Sequence, residues 1–298
     1  MSPTNDPRKS KAERTAEARE NARRIREAQV KKEQRNRWLI RGGVLVAALL
    51  IVVLIAVIVV VNTKNNAPVA DSGPVPANAN VHGGVVLGKD NVVIGPGTAA
   101  GDVNVADVPK SPSPTASGAA LIPPGIAATP KGQPAQIVAF VDFLCPFCNK
   151  FEQTYGADLK TWRDAGTATV EDRAFGFLDK STTTNYSSRA ANAAACVVNA
   201  SPEKYNDYFQ KLYAEQPAEN SAGLSNSDLV KAAKDVGAAD ITDCVNNGTY
   251  RPFVKVATAE AEAYGVSSTP TVYVDGQKWD GSTDFKAWAQ GIIDAKNK

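Results

Sequence analysis

Four cysteines and one histidine decide which chemistry is open to this 298-residue chain. Two cysteines stand in Cys145-Pro146-Phe147-Cys148, while Cys196 and Cys244 lie 48 positions apart. A CxxC pair suits thiol-disulfide exchange, because the second thiol is close enough to attack and resolve a mixed disulfide formed at the first. The same spacing also serves a purely structural disulfide, or half of a zinc site completed by Cys196 and Cys244. Zinc would require all four cysteines, since His82 lies far upstream in a Gly/Pro-rich stretch, and the distant pair is not spaced as a knuckle.

The flanking residues favour exchange. Residues 136–144 (QIVAFVDFL) are almost continuously apolar, as in a strand buried on both faces. Pro146 suits the first turn of a helix on which Cys148, Phe151 and Tyr155 share a face. Cys145 then stands at a helix N-terminus, where unpaired N–H groups and the helix dipole stabilise a thiolate. Cys145 is accordingly expected to be the attacking thiol and Cys148 the resolving one. Asp142, three residues earlier, is read either as a proton shuttle or as a carboxylate that fixes the loop. Cys196 and Cys244 are read as a structural disulfide closing a loop worth about 4 kcal/mol of chain entropy, with two free buried thiols as the alternative. No metal and no cofactor is expected.

Further elements must hold this junction. A second strand is expected at Thr167 to Phe175 and a helical tract from about Ser187 to Tyr264. Within the tract, Ser201-Pro202 opens a helix that lines up Tyr205, Tyr208, Phe209, Leu212 and Tyr213. Ser225 with Asp228 caps another that ends at Gly237, and a third runs from near Pro252 to Gly265. Thr271 to Asp275 alternates as a strand, Asp275-Gly276 turns towards Trp279, and Phe285, Trp288 and Ile292 line a closing helix.

The N-terminal third differs in character. Residues 42–61 carry no charge, and twenty helical residues span about 30 Å, the thickness of a bilayer core. They are read as an uncleaved signal anchor; a cleaved signal peptide has a shorter apolar run and leader, and a soluble core helix keeps a polar face. The first 41 residues hold thirteen Lys/Arg against six Asp/Glu, a net of +7, so the remainder of a chain of net charge +2 sums to −5. This local basicity argues against a nucleic-acid partner and puts the N-terminus in the cytoplasm, against anionic membrane lipid. Its Glu20/Arg24 and Glu27/Lys31 spacings suit a helix. The expected divisions are a tail at 1–41, the anchor at 42–61, a Pro/Gly/Ala-rich linker at 62–133 and a redox domain at 134–298, with a helical insertion at about 184–265. Residues 83–95 carry a hairpin signal that would add an edge to the domain.

VDFLCPFCNKFE (Val141 to Glu152), the helical insertion and VSSTPTVYVDG (Val266 to Gly276) together resemble the membrane-anchored DsbA-like thiol-disulfide oxidoreductases of the thioredoxin superfamily. The resemblance implies an α/β, thioredoxin-like fold with a helical insertion. It also implies a cis peptide at Thr269-Pro270 facing the CxxC, where an ordinary trans proline opening a strand is the alternative. Function follows the same resemblance: disulfides introduced into exported cysteine-containing proteins, with reoxidation by a membrane partner of the DsbB or VKOR type. A reductase or isomerase of the same fold, an anchored metal chaperone and a non-catalytic envelope scaffold remain alternatives. The chain departs from the family pattern where Phe147 replaces the usual histidine, so a weaker oxidant is expected, and where Ala139 occupies the position of a buried acid. Thr269 is a residue type shared with isomerase-like relatives.

Overall fold

The computed structural model describes residues 11–110 and 121–296. Residues 1–10 of the tail, 111–120 of the expected linker and the last two residues of the expected redox domain lie outside the described residues. The chain packs as two units, Met1–Val61 and Asn62–Lys298. Helix α1 (Lys11–Asn65) supplies the described part of the first. Among the described residues it is the one helix long and apolar enough to cross a membrane, and Gly43 to Val60 are exposed throughout. In its basic half Arg24 pairs with Glu20 at 2.6 Å, as the spacing suggests. Glu27 pairs with Arg23 at 3.0 Å rather than with Lys31; such exposed pairs stabilise a helix by only a few tenths of a kcal/mol.

The second unit is built on a mixed sheet of order β2-β5-β4-β6-β7. Its centre is β4 (Ala135–Val141), parallel to β5 (Ala168–Ala174) and antiparallel to β6 (Thr271–Val274), which pairs in turn with β7 (Gln277–Lys278). Strand β4 is buried at nearly every residue because elements cover both of its faces, which explains its unbroken apolar run. Helix α2 (Pro146–Asp164) follows it and packs Phe151 against Phe285 of the closing helix α8 (Phe285–Lys296), with ring centres 5.0 Å apart. The insertion comprises α3 (Tyr186–Ala200), α4 (Tyr205–Ala214), α5 (Asn226–Asp235), α6 (Thr242–Asn247) and α7 (Arg251–Ala263). Ser225 and Asp228 form the capping box expected at the start of α5.

The region expected as a linker departs from that reading, because much of it is bound to the domain. Strands β1 (Ser72–Pro74) and β3 (Asp102–Asn104) pair with each other, and β2 (Gly84–Leu87) extends the main sheet antiparallel to β5. The hairpin signal at 83–95 thus marks a real edge strand, whose return arm makes one bridge, Leu87 to Val93. Low aromatic content hid this packing, which rests on aliphatic residues such as Val75, Ala79, Val85 and Leu87 buried in the domain core, together with polar contacts. His82 Nδ1 lies 2.9 Å from Glu260, Lys255 reaches Asp71 at 2.6 Å, and Arg251 donates to the Asn65 carbonyl at 3.0 Å. At Gly83, with φ +86°, an added Cβ would stand 2.5 Å from the Cβ of Ala257, so only glycine allows this approach to α7.

Cys196 on α3 and Cys244 on α6 are joined as a disulfide, with Cα atoms 6.0 Å apart. Replacing both by alanine should lower the unfolding free energy by about 4 kcal/mol, given the length of loop released. Denaturant titration of the double variant checks this, and a loss below about 1 kcal/mol would show that the link contributes little.

Candidate active site

The sheet register brings the two halves of the site together. Phe140 of β4 pairs with Thr271 of β6, and the strands run in opposite directions. The chain leaving β4 towards Cys145 and the chain entering β6 through Thr269 and Pro270 therefore meet at one end of the sheet. The Thr269-Pro270 peptide is cis, and the Thr271 hydroxyl donates to the Ser268 carbonyl at 2.8 Å to close the turn before it. Cys145 Sγ lies 3.3 Å from the Thr269 carbonyl oxygen, which accepts from the protonated thiol.

Cys145 is the N-cap residue of α2, with extended backbone angles, and Pro146 occupies the first helical position. The Cys145 carbonyl accepts from the N–H groups of Cys148 (3.1 Å) and Asn149 (3.2 Å). Cys145 and Cys148 are both reduced and both buried, whereas the Phe147 ring between them is 73% exposed. A hydrogen bond from the Cys148 thiol is the main influence holding Cys145 down, to about 6 from 9.0. Burial opposes it, and the Thr269 side chain and the N–H groups of Cys148 and Phe147 assist it. Burial pushes the Cys148 thiol well above the ordinary range. The two sulfurs thus differ in kind: one is a thiolate at neutral pH and the other a thiol. None of the donors to Cys145 is the side chain of residue 147, so the depression does not require a histidine there.

Asp142 is fully buried, and its two carboxylate oxygens accept from Leu144 N–H at 2.8 Å and Leu178 N–H at 2.9 Å. It therefore ties the active-site turn to the segment after β5. Burial raises its carboxyl to about 7 from 3.8, against the backbone N–H groups and the Ser187 hydroxyl that favour the charged form.

Three residues that composition and spacing did not single out complete the site. Phe143 in the turn packs edge-on to Phe209 of α4, with ring centres 5.4 Å apart, and tilts against Tyr213 at 5.3 Å. Gln216, just past the end of α4, donates through Nε2 to the carbonyls of Phe143 and Cys145, both at 3.0 Å. Asn149 donates to Gln216 Oε1 and to the Tyr213 carbonyl, both at 3.1 Å. No sequence signal marks Gln216, which is 71 positions from Cys145. Cys196 and Cys244 are bonded to each other elsewhere in the insertion, apart from the pair at α2. Among the described residues there is no cluster of His, Cys, Asp and Glu that would hold a metal.

A mixed sheet with a reduced CxxC at a helix N-terminus and a cis proline opposite defines the thioredoxin fold, here with a helical insertion of the DsbA type. A family model described as thioredoxin matches residues 131–295. The chain therefore belongs to the thioredoxin family. Oxidised DsbA from Mycobacterium tuberculosis is 30% identical, aligning over 59% of this chain and 91% of that one with a TM-score of 0.50. Disulfide bond formation protein D of Bacillus subtilis is 23% identical over 51% of this chain and 68% of that protein. The serine/threonine-protein kinase PknE of M. tuberculosis is 30% identical over 159 residues, half of this chain. The chain spans about a quarter (27%) of that kinase's length. The fold is that of thiol-disulfide oxidoreductases, the class to which DsbA and disulfide bond formation protein D belong, whereas PknE is named as a kinase.

Two outcomes follow from the charge states. Alkylation of Cys145 in the reduced protein should reach half its maximal rate near pH 6, while Cys148 stays unreactive until the protein is denatured; a midpoint near that of free cysteine would contradict the geometry. Asp142, raised in the folded state, contributes stability that is complete below about pH 4 and is lost as pH rises through about 7. The shift corresponds to about 4 kcal/mol, so Asp142→Asn should flatten the fall in stability between pH 4 and 7 by that order, measured by denaturant titration of the reduced protein at both pH values.

Proposed function

We propose that this chain is an anchored, extracytoplasmic oxidoreductase that introduces disulfides into exported cysteine-containing proteins through Cys145 and Cys148. The observation that carries the reading is the pairing of an ionised, N-capping Cys145 with a buried, protonated Cys148 opposite Thr269-Pro270. In the oxidised protein a substrate thiolate attacks Cys145 Sγ, the Cys145–Cys148 bond breaks, and Cys148 leaves with the electron pair and takes up a proton. A second substrate thiolate then attacks the substrate sulfur of the mixed disulfide. The substrate disulfide departs, and Cys145 is left as the thiolate its surroundings stabilise. Two electrons pass from substrate to the CxxC pair.

Direction follows from the same stabilisation. At neutral pH the reduced pair is favoured by ionisation of Cys145, so the disulfide is the higher-energy form and tends to be given away. The exposed Phe147 ring and the free edge of the Thr269-Pro270 turn offer a peptide an apolar contact and backbone hydrogen bonds. Asp142 acts first as a tie for the turn, and its raised carboxyl suits it to exchange a proton with the buried thiol. Residues 42–61 anchor the domain with the basic tail on the cytoplasmic side, against anionic lipid, and a quinone-linked membrane partner of the DsbB or VKOR type returns the electrons to the membrane.

Equilibration of the full chain with glutathione should place the Cys145–Cys148 couple between about −120 and −200 mV, and a value near thioredoxin's, about −270 mV, would support a reductase instead. Cys145→Ser should abolish oxidation of a reduced peptide, and Cys148→Ala should accumulate mixed disulfides at Cys145. Wild-type exchange by the Cys145→Ser protein would rule out the proposed chemistry.

A further inference from the structure

Gln216 contacts the reactive turn from outside every segment that carries the cysteine motif. Its Nε2 group donates to two carbonyls of the turn, those of Phe143 and Cys145. Among the described residues no other donor reaches the Phe143 carbonyl, which sits in a turn without strand or helix bonds of its own. The amide of Gln216 is itself oriented, because its Oε1 accepts from Asn149 Nδ2 on the first turn of α2. Asn149 is held in turn by the Tyr213 carbonyl and by Gln153, whose Nε2 donates to Asn149 Oδ1 at 3.0 Å. The result is a clamp from the end of α4 that grips the turn on both sides of Leu144.

This grip bears on chemistry because of what the Cys145 carbonyl does. It accepts simultaneously from the N–H groups of Cys148 and Asn149 and from Gln216, so its direction sets the pitch of the first turn of α2. That pitch aims the N–H groups of Phe147 and Cys148 at the sulfur of Cys145, one residue outside the helix, where they add to the hydrogen bond from the Cys148 thiol. Hydrogen bonds of this kind weaken steeply with misalignment.

We propose that Gln216 is a positioning residue for thiol-disulfide exchange, holding the α2 N-terminus so that its peptide N–H groups converge on Cys145. The inference rests on the oxidoreductase reading of Cys145 given above. Gln216 touches neither sulfur and acts through the backbone of residues 143–145.

The test uses the reduced full chain in detergent. Gln216→Met keeps the side-chain length and removes both donors. Thiolate absorbance against pH should then show the half-ionisation point of Cys145 moved up by about one pH unit, and the equilibrium with glutathione moved several-fold towards the disulfide. Asn149→Ala, which removes only the buttress of the amide, should move both in the same direction by less. Gly83→Ala, remote from the site, serves as the control: it should lower the thermal midpoint and leave the Cys145 titration where it is in the wild type. A Gln216→Met protein whose Cys145 titrates as in the wild type overturns the proposal, whatever its thermal midpoint. Should Gln216→Met fail to fold, an unchanged titration in Asn149→Ala overturns it equally. Failure of the underlying reading is distinguishable, because it shows in the wild type: Cys145 would then titrate near 9 and exchange no disulfide with glutathione.

Discussion

The structure depends on where one sulfur atom sits relative to the first turn of a helix. Cys145 is not within α2; it caps it, and from that position its side chain meets the Cys148 thiol first and then the peptide N–H groups of Phe147 and Cys148. An ordinary surface cysteine has water for a neighbour and stays protonated at neutral pH. Here the neighbours are fixed donors, so the anion is the stable form even though burial works against it.

The rest of the second unit serves to keep that arrangement from relaxing. Strand β4 delivers the chain to the cap, and its antiparallel pairing with β6 brings the Thr269-Pro270 turn beside it. Asp142 ties the turn to the segment after β5, and Gln216 ties it to the insertion. Phe143 packs its ring among aromatic residues of α4, so the insertion is continuous with the core beneath the reactive turn. Burial of Cys148 supplies the asymmetry: two thiols in one short motif have opposite shifts, because hydrogen bonds outweigh burial at Cys145 while burial and the partner sulfur outweigh the backbone of Asp142 and the side chain of Thr269 at Cys148.

The segment 65–108 shows how composition can mislead about order. Its residues are mostly small or polar, which usually marks a tether, yet Val75, Ala79, Val85 and Leu87 enter the domain core, His82 meets Glu260 and Asp71 meets Lys255 of α7, and Gly83 allows the close approach to that helix. Small residues served here for close approach. The region expected as a spacer therefore contributes an edge strand to the sheet and a second, two-stranded ribbon.

The sequence alone determined the local events: where β4 ends and α2 begins, that Pro146 starts the helix, that Ser225 and Asp228 cap α5, and that residues 42–61 are apolar enough to span a bilayer. These are decided by neighbours within a few positions, through periodicity, caps and ring constraints on the backbone. The tertiary structure decided what distant residues do to one another. It placed Gln216 on a carbonyl 71 positions away and joined Cys196 to Cys244. It buried Asp142 so that its carboxyl rises while both oxygens are engaged. Burial and alignment of charge depend on which surfaces meet in three dimensions, and no short stretch of chain contains that information.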